Sequence, residues 1–171
     1  MSPLKKDYLV YIKHHELQSM SSFKKMVWLI LRTTFSIVLF YRLSRVENVL
    51  VRIFAIPAYK LIRIVSNVQI SRQVNIGGGL LLPHFGTIVL NKKATYGENL
   101  TLFHGVTVGA KGASSDDMKL PIIGNNVKLS AGAIILGNIT IGDNVVVGAG
   151  ALVVKDIPNN SVAVGNPARI L

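Results

Sequence analysis

The chain has no cysteine in its 171 residues. A disulfide scaffold, a thiolate zinc site and thiol catalysis are therefore excluded, and a reducing compartment suits the composition. Acidic residues are also scarce, eight Asp/Glu against 19 Lys/Arg, giving a formal net charge of +11. The imbalance is local. Met1 to Arg72 holds 12 Lys/Arg against Asp7, Glu16 and Glu47, so this part carries +9 and the remainder is almost neutral. A basic first part favours an anionic partner, either a membrane leaflet or nucleic acid. Nucleic acid is not expected, because aromatic residues do not alternate with the basic ones as a base-stacking platform requires.

A long apolar run is missing too. Met26 to Val65 is rich in Leu, Ile, Val and Phe, yet Arg32, Arg42, Arg45, Arg52, Lys60 and Arg63 interrupt it. No stretch reaches the roughly 18–20 residues of a spanning helix. Two or three helices broken near Glu47 and Pro57, after a helix start at Ser19–Ser22, are expected over region 1–66. Their apolar faces and basic edges suit peripheral contact with an anionic leaflet. Packing on one another and on a partner subunit, with the arginines solvated, accounts for them equally. Lys5, Lys6 and Lys13 lead into His14, His15 and Glu16 rather than an apolar segment, so no signal peptide is read. The expected location is cytoplasmic, peripheral on the inner face of the plasma membrane. Familiar catalytic spacings are absent as well: no Ser-His-Asp set and no paired carboxylates, while Gly77-Gly78-Gly79 lacks the Lys-Ser/Thr of a phosphate loop.

Half of the residues are hydrophobic, ample for a buried core in one domain. Their order is the informative part. Ile123, Leu129, Ile135, Ile141, Val147 and Val153 recur every sixth position, and Val127, Ala133, Ile139, Val145, Ala151 and Ile157 follow four behind. Gly stands after the lead residue at Gly124, Gly142 and Gly148. A period of six fits neither an amphipathic helix nor an isolated alternating strand; it fits triangular coils of three short strands each. The pattern extends backwards through Val108, Leu102, Tyr96 and Leu90, and then through Leu82, Ile76 and Ile70. It breaks twice, by two extra residues between Leu82 and Leu90 and by a polar loop within 109–121. A β-solenoid over 67–171 is expected, with the chemistry at the breaks, where inserted loops leave the core undisturbed.

His84 and His104 both stand two positions after a lead residue, and their separation of 20 equals three hexads plus the two-residue insertion. They are expected on adjacent coils, about 4.8 Å apart in strand spacing, beside the 82–90 bulge and close to the 109–119 loop. A neutral imidazole is the usual general base for a hydroxyl. No metal is expected: with no cysteine and no third histidine in this region, zinc would have to recruit Asp116 or Asp117.

Four stretches carry a family likeness: Ile76 to His84, His104 to Gly109, Ala131 to Asn138 and Val164 to Ile170. In this order they resemble the left-handed parallel β-helix acyltransferases, in the serine acetyltransferase branch, and most closely the relatives that O-acetylate exopolysaccharides such as colanic acid. The resemblance implies an all-β left-handed β-helix after an α-helical N-terminal region, a homotrimer, and acetyl-CoA bound between two subunits. It implies direct transfer with His84 as general base and His104 as its neighbour. It puts the small residues Ala110, Ala131 and Ala149 along the pantetheine arm and Lys111, Lys155 and Arg169 near the CoA phosphates; solvated surface charge explains those cations equally well.

Serine acetyltransferases carry Asp before the catalytic His and a second His before the Pro that reopens the repeat; here Pro83 and Leu120 occupy those places. The long acidic leader and extended tail of those enzymes also have no counterpart. A sugar or polysaccharide acceptor is therefore expected, with serine O-acetylation as one alternative and a catalytically silent trimeric scaffold as another.

Overall fold

The computed structural model describes residues 1–111 and 120–171. The hexad forms three flat faces. The first stacks Val68–Ile70, Ile88–Leu90, Thr107–Gly109, Ile134–Leu136 and Leu152–Val153 in parallel. The second stacks Thr95–Tyr96, Ile122–Ile123 and Thr140–Ile141, again in parallel. The third stacks Thr101–Leu102, Lys128–Leu129, Val146–Val147 and Val162–Val164, and the antiparallel Arg169–Ile170 completes it. The chain visits the faces in that order on every coil, as a left-handed parallel β-helix. Every lead and second-series residue is buried, so the six-residue period is the period of the core.

Register corrects one sequence assignment. Ile157, expected in the second series, pairs with the lead residue Ile141, and Ala163 pairs with Val147, so the last coil is two residues shorter than the one before. The shortening falls between the first and second faces, where Val153 and Ile157 stand four apart instead of six, and the corner between the second and third faces keeps its length. There Asn99, Asn126, Asn144 and Asn160 all adopt left-handed backbone with φ of 54–58°. Each carboxamide donates to the next one along the axis at 2.8–2.9 Å. Asn tolerates this conformation at low cost, and its short amide lets the corners stack as a ladder. Gly124 has a different reason: a Cβ there would lie 2.5 Å from Asp143 Oδ1 and 2.8 Å from the Gly142 carbonyl of the next coil.

Four helices precede the coils: α1 (Pro3–His14), α2 (Ser22–Ile30), α3 (Thr33–Leu43) and α4 (Val49–Ser66). The expected break near Glu47 occurs between α3 and α4, but Pro57 lies inside α4. The Ile53 carbonyl, which loses its partner to that proline, belongs to an exposed residue, so water can satisfy it and the helix continues.

A β-solenoid leaves a bare edge at its first coil, and such an end needs a cap. Helices supply it. Tyr11 of α1 donates to the Leu82 carbonyl, Tyr41 of α3 to that of Val74, and Tyr59 of α4 to that of Ile70, at 3.2, 2.6 and 2.8 Å. Burial raises the pKa of all three phenols. The strongest tie is ionic. Asp7 is fully buried, its Oδ1 accepts the Gly79 and Leu80 amides at 2.7 and 2.8 Å, and its Oδ2 accepts Arg42 Nε at 2.8 Å. Arg42 also donates to the carbonyls of Ile76 and Gly77. The expectation of solvated arginines therefore fails at Arg42 and at Arg45, which donates to the Val74 carbonyl; Arg72, on the first coil, donates to the Ser44 carbonyl. Each guanidinium meets carbonyls that the packing of helix on coil would otherwise leave unpaired.

Removing one partner of a buried ion pair leaves an uncompensated charge, which costs roughly 3–5 kcal/mol. Asp7→Ala should lower stability by about that amount in chemical denaturation, and Asp7→Ala/Arg42→Met should cost clearly less than the sum of the two single changes.

Candidate active site

The two-residue insertion after Leu82 places His84 on an outward bulge at the corner from the third face to the first. Leu81 is still paired with Thr101, and Gly105 N donates to the Thr87 carbonyl, so residues 83–86 are the part released from the ladder. Gly86, at φ 139°, passes beneath His104, where a Cβ would meet the His104 Cβ at 3.1 Å. The histidines expected to be neighbours are brought together: their ring centroids lie 6.1 Å apart with the planes at 79°. Phe103 flanks His84 at 6.1 Å, and Lys128 Nζ lies 5.2 Å from the Phe103 ring centre. Both imidazoles are exposed, and neither has a hydrogen bond to protein among the described residues.

Along the same corner, Gly132 N donates to the His104 carbonyl and Gly150 N to that of Ala131. His104, Ala131 and Ala149 therefore occupy equivalent positions on successive coils. An imidazole is followed by two methyl groups, leaving a shallow column that runs from the histidines along the axis. The other residues read from the sequence lie elsewhere. Gly109 pairs with Leu136, and Gly137 N donates to the Gly109 carbonyl, which sets Ala110 beside Gly137 and, one coil further, Lys155. These residues and Lys111 stand at the far edge of the first face, and Arg169 lies on the closing hairpin.

For the second phase break only the root lies among the described residues, and that root is not beside the histidines. Its root leaves the opposite edge of the first face, one strand away from His104, because the first face intervenes between the two corners. Asp116 and Asp117 lie outside the described residues, and among the described residues no cluster of three metal-ligating side chains occurs.

The helical region contributes residues that the hexad register could not reveal. A cavity of about 490 Å³ lies between the α2–α3 corner and the bulge, lined by Trp28, Leu31, Arg32, Thr33 and Thr34 on one side and Pro83, His84 and Phe85 on the other. The Arg32 guanidinium carbon lies 4.2 Å from the Trp28 ring centre, and His15 meets the same indole edge-on at 4.9 Å. Burial, with His14 and Arg32 adding repulsion, lowers the His15 pKa.

Comparison with known proteins fits this geometry. Residues 121–155 match the family described as bacterial transferase hexapeptide (six repeats). The putative colanic acid biosynthesis acetyltransferase WcaB of Escherichia coli K12 is 40% identical over 130 residues, 74% of this chain and 79% of that protein. The chain belongs to the hexapeptide-repeat transferases. Within that family it is also similar to serine acetyltransferase 1, chloroplastic, of Arabidopsis thaliana, 52% identical over 104 residues, but it spans only 33% of that protein's length. Among solved structures, the soybean serine acetyltransferase complexed with serine superposes with a TM-score of 0.75 at 31% identity, covering 99% of this chain and 70% of that one. A serine acetyltransferase complex with CoA superposes with a TM-score of 0.74 at 25% identity, covering 99% and 68%.

Proposed function

We propose that this hexapeptide-repeat transferase is an acetyl-CoA-dependent O-acetyltransferase that modifies a sugar hydroxyl of a capsule or exopolysaccharide, or of its lipid-linked precursor. One observation carries the reading: two exposed imidazoles 6.1 Å apart open onto the column that narrows to Ala131 and Ala149. His84 takes the proton of the acceptor hydroxyl as its oxygen attacks the thioester carbonyl. The tetrahedral intermediate expels the CoA thiolate, which recovers the proton as thiol. His104 orients the acceptor or shares the base role, and the methyl groups along the column leave room for the pantetheine arm. The names of the relatives support acetyl transfer, and the CoA-bound neighbour supports the donor.

The two groups of expected donor-binding residues lie on opposite edges of one face. A homotrimer of β-helices packed side by side, as the family likeness implies, unites them: the far edge of one subunit, with Ala110, Lys111 and Lys155, meets its neighbour's histidine corner. Serine is the second reading, favoured by the Arabidopsis relative and by the serine-bound soybean structure. Against it, Pro83 and Leu120 provide neither the carboxylate nor the imidazole of the serine-specific pattern.

The helices support attachment to an anionic membrane from the cytoplasmic side. Among the described residues no single helix is long and apolar enough to cross a membrane, although α2 and α3, bent by 92°, pass that test as a pair. Of the 18 residues of α4, only Ala55, Tyr59 and Ser66 are buried, while Phe54, Ile64 and Val65 are 77%, 71% and 75% exposed. Phe23 and Leu31, on and just after α2, are 78% and 80% exposed. Exposed Lys24, Arg52 and Lys60 stand among them, an arrangement that suits headgroup phosphates beside acyl chains.

His84→Ala should reduce CoA release in the presence of a sugar acceptor by roughly a hundredfold or more. Turnover of serine in preference to a panel of sugars would displace the sugar reading, and no turnover with any acceptor would point to the silent scaffold. Ala149→Tyr should obstruct the column and raise the KM for acetyl-CoA by about tenfold, a loss of about 1.4 kcal/mol of binding. Because the helices cap the β-helix, attachment is best tested with point changes: Phe54→Glu/Val65→Glu should abolish co-flotation with phosphatidylserine vesicles that the unchanged chain shows. Equal flotation by both forms, or self-association of the unchanged chain in place of flotation, would refute it.

A further inference from the structure

We propose that the cavity between the α2–α3 corner and the His84 bulge is the acceptor subsite, and that it takes a saccharide bearing an anionic group, a phosphate or a carboxylate. The inference rests on the acetyl-transfer reading only in naming the bound molecule an acceptor. The cavity reaches His84 from the side of the helices, whereas the alanine column leaves the histidine pair along the axis. Two reactants that meet at one base need two separate approaches, and these are two.

The chemistry of the lining selects the ligand. Arg32 and His84 are its ionisable side chains, and no carboxylate is among its lining residues. Arg32 is exposed and belongs to neither ion pair found among the described residues, so its guanidinium is available to a ligand anion. It lies across the Trp28 indole at 4.2 Å, which fixes the planar fork and leaves its outward N–H groups free. A guanidinium held in this way pairs with phosphate or carboxylate through two parallel hydrogen bonds. Trp28, Pro83 and Phe85 supply apolar walls of the kind that accept the C–H face of a sugar ring, and Thr33 and Thr34 supply hydroxyls. A free amino acid fits less well, because its carboxylate would take Arg32 and leave its ammonium with no carboxylate among the lining residues.

At about 490 Å³ the cavity holds a monosaccharide with its charged substituent and remains open to the rest of a longer chain. The sugar hydroxyl on the His84 side is then the one that reacts, and the anion at Arg32 determines which hydroxyl that is.

Trp28 is the only tryptophan in the chain, so its fluorescence reports on this cavity. The full chain is titrated with glucose 1-phosphate, glucuronate, methyl glucoside, inorganic phosphate and L-serine. Saturable quenching is expected with glucose 1-phosphate or glucuronate, and which of them binds more tightly identifies phosphate or carboxylate as the natural group. Methyl glucoside, inorganic phosphate and serine should each bind at least tenfold more weakly. Arg32→Gln should remove the preference for the charged sugar and raise the acceptor KM by about tenfold, with kcat falling as well because the reacting hydroxyl is no longer held in register with His84; Arg32→Lys should restore part of both. Equal binding of serine or methyl glucoside overturns the assignment, as does binding of inorganic phosphate as tight as that of the sugar phosphate, or an unchanged KM in Arg32→Gln. Retention of the charged-sugar preference with no turnover of any acceptor would instead refute acetyl transfer and leave the subsite standing.

Discussion

The buried contact of Asp7 with Arg42 and the Gly79 and Leu80 amides is the interaction on which the site depends. It joins α1, α3 and the first coil at one point, where both oxygens of a fully buried carboxylate accept hydrogen bonds. A buried charge so satisfied contributes less to net stability than to uniqueness, since any other docking of the helices would strand it. The docking angle matters because the α2–α3 corner forms one wall of the cavity over His84. The three tyrosines that bind carbonyls of the first coil constrain the same angle at separate points.

The coils contribute a different kind of order. Parallel register repeats a position at every turn of the solenoid, so a change of residue type along one corner is a change of shape along a groove. His104 gives way to Ala131 and Ala149, and a groove begins. The insertion after Leu82 then displaces His84 outward from that groove without disturbing Leu81 or Thr87, which remain tied to the neighbouring coil. The histidine pair thereby stands where strand pairing is suspended and the hydrophobic stack carries on beneath.

This division explains what was legible in the sequence. The hexad encodes neighbours within the solenoid because burial enforces it, and it was enough to bring His84 beside His104 across 20 residues. It could not show that Ile157 changes series, because Val153 to Ile157 to Ala163 keeps apolar residues at every position that either register needs. Nor could it show which edge of the first face the loop leaves, since two successive corners look alike in a periodic pattern. Helix docking was less legible still. Nothing local in Arg42 separates it from Arg52, and only the docked geometry makes one a buried ligand of Asp7 and the other a surface cation. Trp28 and Arg32 reach His84 across more than fifty residues through tertiary packing alone.

The basic charge of the N-terminal region consequently serves two ends. Arg42 and Arg45 are engaged in closing the first coil, where carbonyls exposed at the solenoid's edge need donors, and Arg72 of that coil donates in turn to the Ser44 carbonyl at the end of α3. Lys24, Arg32, Arg52 and Lys60 are exposed, and all four belong to α2, the α2–α3 corner or α4. Asp7, Tyr11, Tyr41 and Arg42 of α1 and α3 thus turn inward as a clamp together with Tyr59 of α4. Lys5 and Lys13 of α1 face outward, and the cations of α2 and α4 stand beside exposed Phe23, Leu31, Phe54 and Ile64. Arg32 stands where the two regions meet, with its indole platform on the outward helix and its cavity bounded by the His84 bulge. On the proposed reading, an acceptor carried on an anionic lipid would meet the outward cations first and Arg32 last, so the same sign of charge that attracts it would also lead it to His84.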